Sequence, residues 1–328
     1  MKPVYPDLLA CPVTSGEFLE TGSGVLGATG GPQYRTVDGV NCFLGVPTAD
    51  EAPKDDPSRS VRDFYQGDGW DVGEDGLYRD SRAFLDARPI AREFSAHCMK
   101  RLGRYFAGGG KYILDAGSGP IPHDELLPFS DAFEKRICVD LSLQGLQAAR
   151  RKLGDRGIYL QADITSMPLR DNSVDAITCN HVIYQVPAEI QKDAFMELWR
   201  VLKPGGVAVI VYWWPSPTLP RHLGRAAKLM KLLTGMRGVP PRPGVSWPEL
   251  YHHPFAPDWL KAQDWPFTYK LDAFRIVNDN FVRDHLSDDW RGRLFINAIK
   301  TMQSIAPEYC GRNGQMPAII VRKESQAN

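Results

Sequence analysis

Four polar side chains each close an apolar run in the middle of this chain. Asp115 follows Lys111-Tyr-Ile-Leu and Asp140 follows Lys135-Arg-Ile-Cys-Val. Asp163 follows Gly157-Ile-Tyr-Leu-Gln-Ala, and Asn180 follows Asp175-Ala-Ile-Thr-Cys. Behind the first acid, Gly117-Ser-Gly119-Pro makes a tight turn in which a Cβ would obstruct either positive φ angles or a close-lying ligand. A carboxylate roughly 20 residues beyond such a turn is placed to accept hydrogen bonds from a ribose diol. The turn lacks the third glycine of a dinucleotide fingerprint, with Ile121 near that place, and no Gly-Lys-Ser/Thr follows it. It therefore suits a nucleoside without a phosphate chain. His123 lies in the loop after the turn, while His181 and Tyr184 follow the fourth run. Either histidine could serve as a base and the tyrosine could orient a second reactant; a loop histidine and a backbone-bonded one are the plainer alternatives.

The elements that must carry these groups alternate. Short apolar runs end at 115, 140, 163, 180 and 212, and helical spacing covers Leu143 to Lys152 and Ala188 to Leu202, with Lys203-Pro-Gly-Gly206 as a breaker. Strands alternating with helices, without hairpin signals between them, make an α/β fold whose sheet is mostly parallel and covered on both faces. In such a sheet ligands bind beyond the C-terminal strand ends, where the four polar residues fall. A helix is expected from about Asp80 to Phe106, since Phe84, Ile90, Phe94, Cys98 and Leu102 recur at helical spacing. Phe267 to Val277 and Met316 to Arg322 read as strands and Trp290 to Ile305 as a helix.

With 328 residues, 39 basic and 39 acidic, the chain can bury a large core and has no global field directed at nucleic acid or membrane. No run approaches the ~20 apolar residues of a membrane span, and Met1-Lys-Pro-Val-Tyr-Pro does not read as a signal peptide. Six scattered cysteines favour reduced, buried thiols, so a cytoplasmic location is expected. Four segments follow: a small β-rich unit at 1–45 with a hairpin around Asp38-Gly39, a Pro-rich linker at 46–60, a core at 61–214 and 266–328, and a Pro- and aromatic-rich insertion at 215–265 over the sheet's C-terminal edge. Between Glu197 and Glu249 the chain has no acid, while Arg221, Arg225, Lys228, Lys231, Arg237 and Arg242 stand beside Leu223, Leu229, Met230 and Leu233. The stretch 221–242 is a basic amphipathic surface for an anionic or lipid-linked substrate or a peripheral membrane contact, or else a helix with a solvated basic face. Trp213, Trp214, Trp247, Tyr251 and Trp259 either line an apolar acceptor pocket or fill the core. His252-His253 has no metal-ligand company in sequence, and no metal is expected.

Two resemblances add to this. Leu8-Leu-Ala-Cys-Pro12 and the Tyr34-to-Gly39 hairpin resemble the zinc ribbon ahead of some methyltransferases, including a ribosomal-RNA guanine methyltransferase. Thr14 stands where that pattern has its second cysteine and the later pair is missing, so Cys11 and Cys42 cannot complete a four-ligand site. The segment is read as a degenerate, metal-free ribbon, or else as an unrelated small β-rich extension. Ile113-Leu-Asp-Ala-Gly-Ser-Gly-Pro120, Val139-Asp140, Gln161-Ala-Asp-Ile-Thr-Ser-Met-Pro-Leu169 and Leu202-Lys-Pro-Gly-Gly206 resemble, in order, the motifs of class I S-adenosylmethionine-dependent methyltransferases, nearest the ubiquinone and menaquinone group.

That second resemblance implies a Rossmann-like, seven-stranded sheet with its last strand antiparallel, a small β-rich N-terminal extension and a helical cap insertion. It implies S-adenosyl-L-methionine as cofactor and S-adenosyl-L-homocysteine as product. It places Asp115, Ala116, Gly117 and Gly119 at the methionine part, Asp140 and Leu141 at the ribose, and Asp163 with the Ile164 amide at the adenine. Asn180 and His181 then lie under the sulfonium, with Tyr65 from the Phe64-to-Trp70 segment covering it. The function expected is in-line methyl transfer to a small-molecule acceptor: a natural product, a quinone-like or a sugar-containing compound. The alternatives are an RNA base methyltransferase, disfavoured by neutral charge, and a non-catalytic binding protein of the same fold. Neither acceptor nor oligomeric state is legible.

Overall fold

The computed structural model describes residues 4–20, 25–28, 31–44, 59–74, 76–239 and 249–325. Four short strands, β1 (Phe18–Glu20), β2 (Val25–Ala28), β3 (Gln33–Val37) and β4 (Val40–Cys42), form an antiparallel meander. Asp38 and Gly39 join the last two with φ of 47° and 76°, the paired positive angles that a two-residue hairpin turn of the primed type demands. Next come α1 (Arg59–Gln66), α2 (Arg79–Phe84) and α3 (Pro89–Leu102). The single helix expected over 80–106 is thus broken. Pro89 has no N–H to give a preceding turn and holds Arg88 extended at ψ 148°, so α3 starts afresh with proline at its first position.

Alternation then takes over: β5 (Gly110–Ala116), β6 (Phe133–Asp140), α4 (Leu143–Leu153), β7 (Gly157–Gln161), β8 (Val174–Asn180), α5 (Gln191–Val201) and β9 (Leu202–Val211). The insertion contributes α6 (Thr218–Thr234) and α7 (Pro257–Ala262). The chain closes with β10 (Tyr269–Arg275), α8 (Asp279–His285), α9 (Trp290–Ile305), α10 (Pro307–Asn313) and β11 (Met316–Arg322). Trp247 and Arg242 lie outside the described residues, as does the linker apart from Arg59 and Ser60, which open α1.

One sheet runs through the molecule in the order β1-β2-β3-β4-β7-β6-β5-β8-β9-β11-β10. Strands β5 to β9 pair in parallel, and β11 runs antiparallel to both its neighbours. The expected seven strands are those from β7 to β10 in this order, but the sheet has eleven. The edge of β7 carries unpaired backbone groups that need partners, and β4 supplies them in parallel through Asn41↔Leu160 and Cys42↔Gln161. The N-terminal unit is therefore continuous with the main sheet. Its centre is the ring trio Phe18, Tyr34 and Phe43, with centroids 5.0–5.8 Å apart, beside the buried Cys11 and Cys42. All six cysteines are buried and free.

Helices cover both faces. Ile90, Phe94 and Cys98 of α3, Leu146 of α4 and Ile296 of α9 pack on one side. Phe195, Leu198 and Val201 of α5, with Trp214 and Leu260, pack on the other. Because the meander shares the sheet, its unfolding should be coupled to that of the core. Phe18→Ala removes a fully buried ring and should cost about 3–5 kcal/mol. Urea unfolding followed by both tryptophan fluorescence and far-UV dichroism should show one shifted transition; a separate early transition would mean the unit folds alone.

Candidate active site

The C-terminal ends of β5, β6, β7 and β8 open on one side of the sheet. Asp140, Asp163, Asn180 and His181 are half-buried there, and Asp115 is buried. Asp140 is the most heavily used. Its Oδ2 accepts the Gly119 amide at 2.7 Å and its Oδ1 the Ser142 amide at 2.8 Å, so one carboxylate joins the glycine turn to the start of α4. Each carboxylate oxygen accepts about two hydrogen bonds, which leaves Asp140 capacity for a ligand's hydroxyls. Burial pushes its pKa from 3.8 up to about 6, against the pull of those amides.

The glycine turn is set by packing as much as by glycine. Gly117 and Gly119 have φ of 73° and 48°, and a Cβ on either would strike the Val182 side chain or the Trp70 ring. The space the two glycines vacate is thus filled by the protein itself. Ile121, where the third glycine of the related pattern often falls, also takes a positive φ of 52° although β-branched. Its buried side chain, its amide on the Ser118 carbonyl (3.0 Å) and the Lys152 ammonium on its own carbonyl (2.7 Å) hold it there. The Asp115 carboxylate is engaged by β6 instead. The fully buried Arg136 of β6 grips its Oδ2 through Nε and Nη2 and ties off the Leu126 carbonyl through Nη1.

A cap closes over these ends. Ser142 caps α4 and donates its hydroxyl to the Tyr65 carbonyl at 2.6 Å, and Gln66 reaches the Leu141 carbonyl at 3.4 Å. The Tyr65 ring lies 4.9 Å from Trp70, and its hydroxyl donates to Asp80 at 2.9 Å. Burial raises Asp80 to about 6, partly offset by that hydroxyl, and lifts Tyr65 well above the usual phenol range.

Beside Asn180, His181 adopts φ 62°, its ring 5.6 Å from Phe274 and 6.1 Å from Tyr184. Burial, then the positive charge of Arg275 and the neighbouring His123, push its pKa down to about 3, so the imidazole is neutral. His123 is likewise lowered by burial, opposed by Glu125, and feels Arg275 and Asp279. The structure therefore brings the two histidines into one electrostatic neighbourhood. Tyr184 is buried against Tyr212 and His252, and burial drives its pKa far upward. Asp163 accepts the Thr165 amide and hydroxyl on Oδ1, Ala116 and Ile164 are buried, and the Leu141 carbonyl also takes Gln161.

Among the expected aromatics, Trp214 is core, its indole donating to the Gly311 carbonyl, and Trp259 stacks on Phe255 at 4.2 Å. Trp213 is half-buried beside His252, and the Tyr251 hydroxyl receives the Ala188 amide. Among the described residues no cluster of three or more metal-ligating side chains occurs. Sequence reasoning missed Arg136, Asp80, Arg275 and Asp279. A charged residue between Phe274 and Ile276 in an apolar strand was the available signal for Arg275.

Residues 114–210 match the family model described as a methyltransferase domain. The stretch from β5 to β9 is thus similar to a methyltransferase domain. An uncharacterized methyltransferase of Mycobacteroides abscessus is 32% identical to the chain over 145 residues, which are 40% of this chain and 54% of that protein. A demethylmenaquinone methyltransferase of Renibacterium salmoninarum is 34% identical over 101 residues, 31% and 40% of the two chains. A Haemonchus contortus phosphoethanolamine N-methyltransferase 2 structure aligns with a TM-score of 0.47 at 16% identity, covering 80% of this chain and 60% of that one. The chain spans about half or less of the length of the curated relatives it matches.

S-adenosylmethionine is the cofactor of such a domain, and the residues present fit it. Asp140 has open acceptor capacity at the strand end where a ribose is expected, and two sealed polar atoms at the same edge, Trp70 Nε1 and His181 Nδ1, have no protein partner. A diol that donates to Asp140 favours its ionised form, so binding releases a proton. Affinity for S-adenosylhomocysteine should therefore rise as pH increases from about 5 to about 6 and level off above, as read by calorimetry. Asp140→Asn should flatten that profile; a wild-type affinity that does not change with pH would remove Asp140 from the ribose.

Proposed function

We propose that this chain transfers a methyl group from S-adenosylmethionine to a small-molecule acceptor. The observation that carries the reading is the Asp140 carboxylate, clamped between the Gly119 and Ser142 amides at the end of β6, within the segment that matches the methyltransferase model. When bound, S-adenosylmethionine supplies an electrophilic methyl open to in-line displacement. The protein's part is then alignment and exclusion of water.

In this reading Asp140 and Leu141 hold the ribose, Asp163 with the Ile164 amide meets the adenine, and the backbone of Ala116, Gly117 and Gly119 borders the methionine tail. Arg136 neutralises Asp115, so Asp115 acts on the amino group through its carboxylate oxygen not taken by Arg136. Tyr65 and Trp70 form the lid. His181, neutral and half-buried, faces the reacting end together with Asn180 and Tyr184. With its imidazolium disfavoured, the neutral ring is suited to accept a hydrogen bond from an acceptor hydroxyl and orient it, and His123 takes a supporting place beside it.

The test is direct. The protein should bind S-adenosylmethionine, and Asp140→Ala should weaken binding at least tenfold. His181→Gln should lower turnover on an acceptor found by screening a metabolite extract, with cofactor affinity little changed. Absence of cofactor binding to the intact protein would overturn the reading.

A second surface favours an amphiphilic partner. On α6 the side chains of Leu229, Leu232 and Leu233 are exposed, interleaved with exposed Arg225, Lys228 and Lys231. Cations alone would suit RNA equally; leucines left in water among them favour an anionic lipid surface or a lipid-linked acceptor. The protein should co-sediment with vesicles containing an anionic phospholipid and not with neutral ones, and Leu232→Asp with Leu233→Asp should abolish this. Equal sedimentation of the variant would assign the face to solvent.

A further inference from the structure

Arg275 ends β10 at a register shift that leaves Phe274 as the extra residue between Ala273 and Arg275, and such bulges re-aim side chains. The residue is 3% exposed. Nη1 donates to Asp279 Oδ2 at 2.7 Å, and the carbon centre lies 5.3 Å from the Phe94 ring. Nε and Nη2 are sealed from solvent and have no hydrogen-bond partner. Those two nitrogens form one edge of the planar fork, which presents two parallel N–H bonds.

The same fold shows what that edge is for. Arg88, Arg136, Arg200 and Arg291 each aim Nε and Nη2 at a carboxylate, those of Asp86, Asp115, Glu197 and Asp289 respectively. Arg275 alone of these five has its edge vacant. A buried, ionised donor pair without a partner is costly, so its persistence calls for something that occupies it. The surroundings tell what reaches it. Arg275 lowers the pKa of both His181 and His123 through space, and Phe274, its neighbour in sequence, packs 5.6 Å from the His181 ring. Arg275 therefore shares a buried neighbourhood with the two histidines of the candidate site. Asp279 engages the opposite side of the fork, and Asp86, the other nearby acid, is held by Arg88.

We propose that the Nε/Nη2 edge of Arg275 binds a carboxylate of the methyl acceptor, flanked by Phe274, Phe94 and His181. This rests on the methyl-transfer reading and sharpens it: the acceptor is an organic acid with an apolar or aromatic body. A carboxylate held by both oxygens is a poor nucleophile, so the methylated atom is another one in the same molecule. Arg275 is a binding and orienting residue.

The probes are acetate, octanoate and benzoate, with benzamide as the neutral counterpart of benzoate, measured by calorimetry with and without S-adenosylhomocysteine. At least one acid should bind saturably, and benzamide at least tenfold more weakly than benzoate. Arg275→Lys, which keeps the charge and loses the fork, should weaken the acid at least tenfold. Arg275→Met with Asp279→Leu removes the pair without stranding a buried acid and should lose acid binding while retaining S-adenosylhomocysteine affinity. In the wild type, the bound anion should offset Arg275's field and move the His181 imidazole titration upward by NMR; His123 and Tyr184 also face that ring and are followed in the same spectra. Equal binding of benzoate and benzamide, or unchanged binding by Arg275→Lys, would overturn the proposal and leave the edge to ordered water. Wild-type protein that binds S-adenosylhomocysteine but none of the three acids would overturn it while the methyl-transfer reading stands. Acid binding lost in Arg275→Lys, in protein that binds no S-adenosylhomocysteine, would support the anion site and overturn that reading.

Discussion

A single carboxylate holds the working end of this protein together. Asp140 takes one amide from the glycine turn after β5 and one from the first residue before α4. The same Ser142 that donates one of those amides caps α4 and fastens the lid through the Tyr65 carbonyl. Turn, helix start and lid are therefore positioned by one group, and a displacement of any of them is felt by the others. The arrangement is tense in electrostatic terms. Burial favours the protonated acid while the two amides favour the anion, and the raised pKa records that burial prevails. Since the folded pKa of about 6 lies above the ordinary 3.8, the empty protein loses stability as pH rises between those values. Hydroxyl donors from a ligand would return that loss.

Much of the sheet was legible because buried parallel strands leave near-continuous apolar runs, and the polar residues that end them mark the ligand side. Asp140, Asn180 and His181 could be placed at one edge from this alone. The eleven-stranded extent could not. Nothing local in Val40-Asn-Cys42 says that it will pair with β7; that partnership is decided by which sheet edge needs covering. The broken helix at Pro89 had a local signal, which the spacing of Phe84, Ile90 and Phe94 outweighed.

The charged pairs were the least legible part. Arg136 sits in a strand read as apolar, and its partner Asp115 is on the neighbouring strand, so the pair exists only once the register is set. Arg275 and Asp279 are four residues apart, close enough to be suspected, but that one edge of the fork has no partner is a property of tertiary packing. Of the aromatics that the sequence left as either pocket lining or core, Trp214 and Trp259 spend their rings on the core and on Phe255.

Ile121 carries a wider consequence. Its backbone is bent into a shape that glycine adopts freely and isoleucine resists, at a cost on the order of 1–3 kcal/mol. The residue stays there because its side chain is wholly buried and Lys152 of α4 secures its carbonyl. The turn's geometry is consequently imposed from outside, by α4 and the core beneath, rather than encoded in the turn itself. A peptide spanning β5 and its loop would not hold this shape. The contour of this strand end is an emergent property of the docked helix.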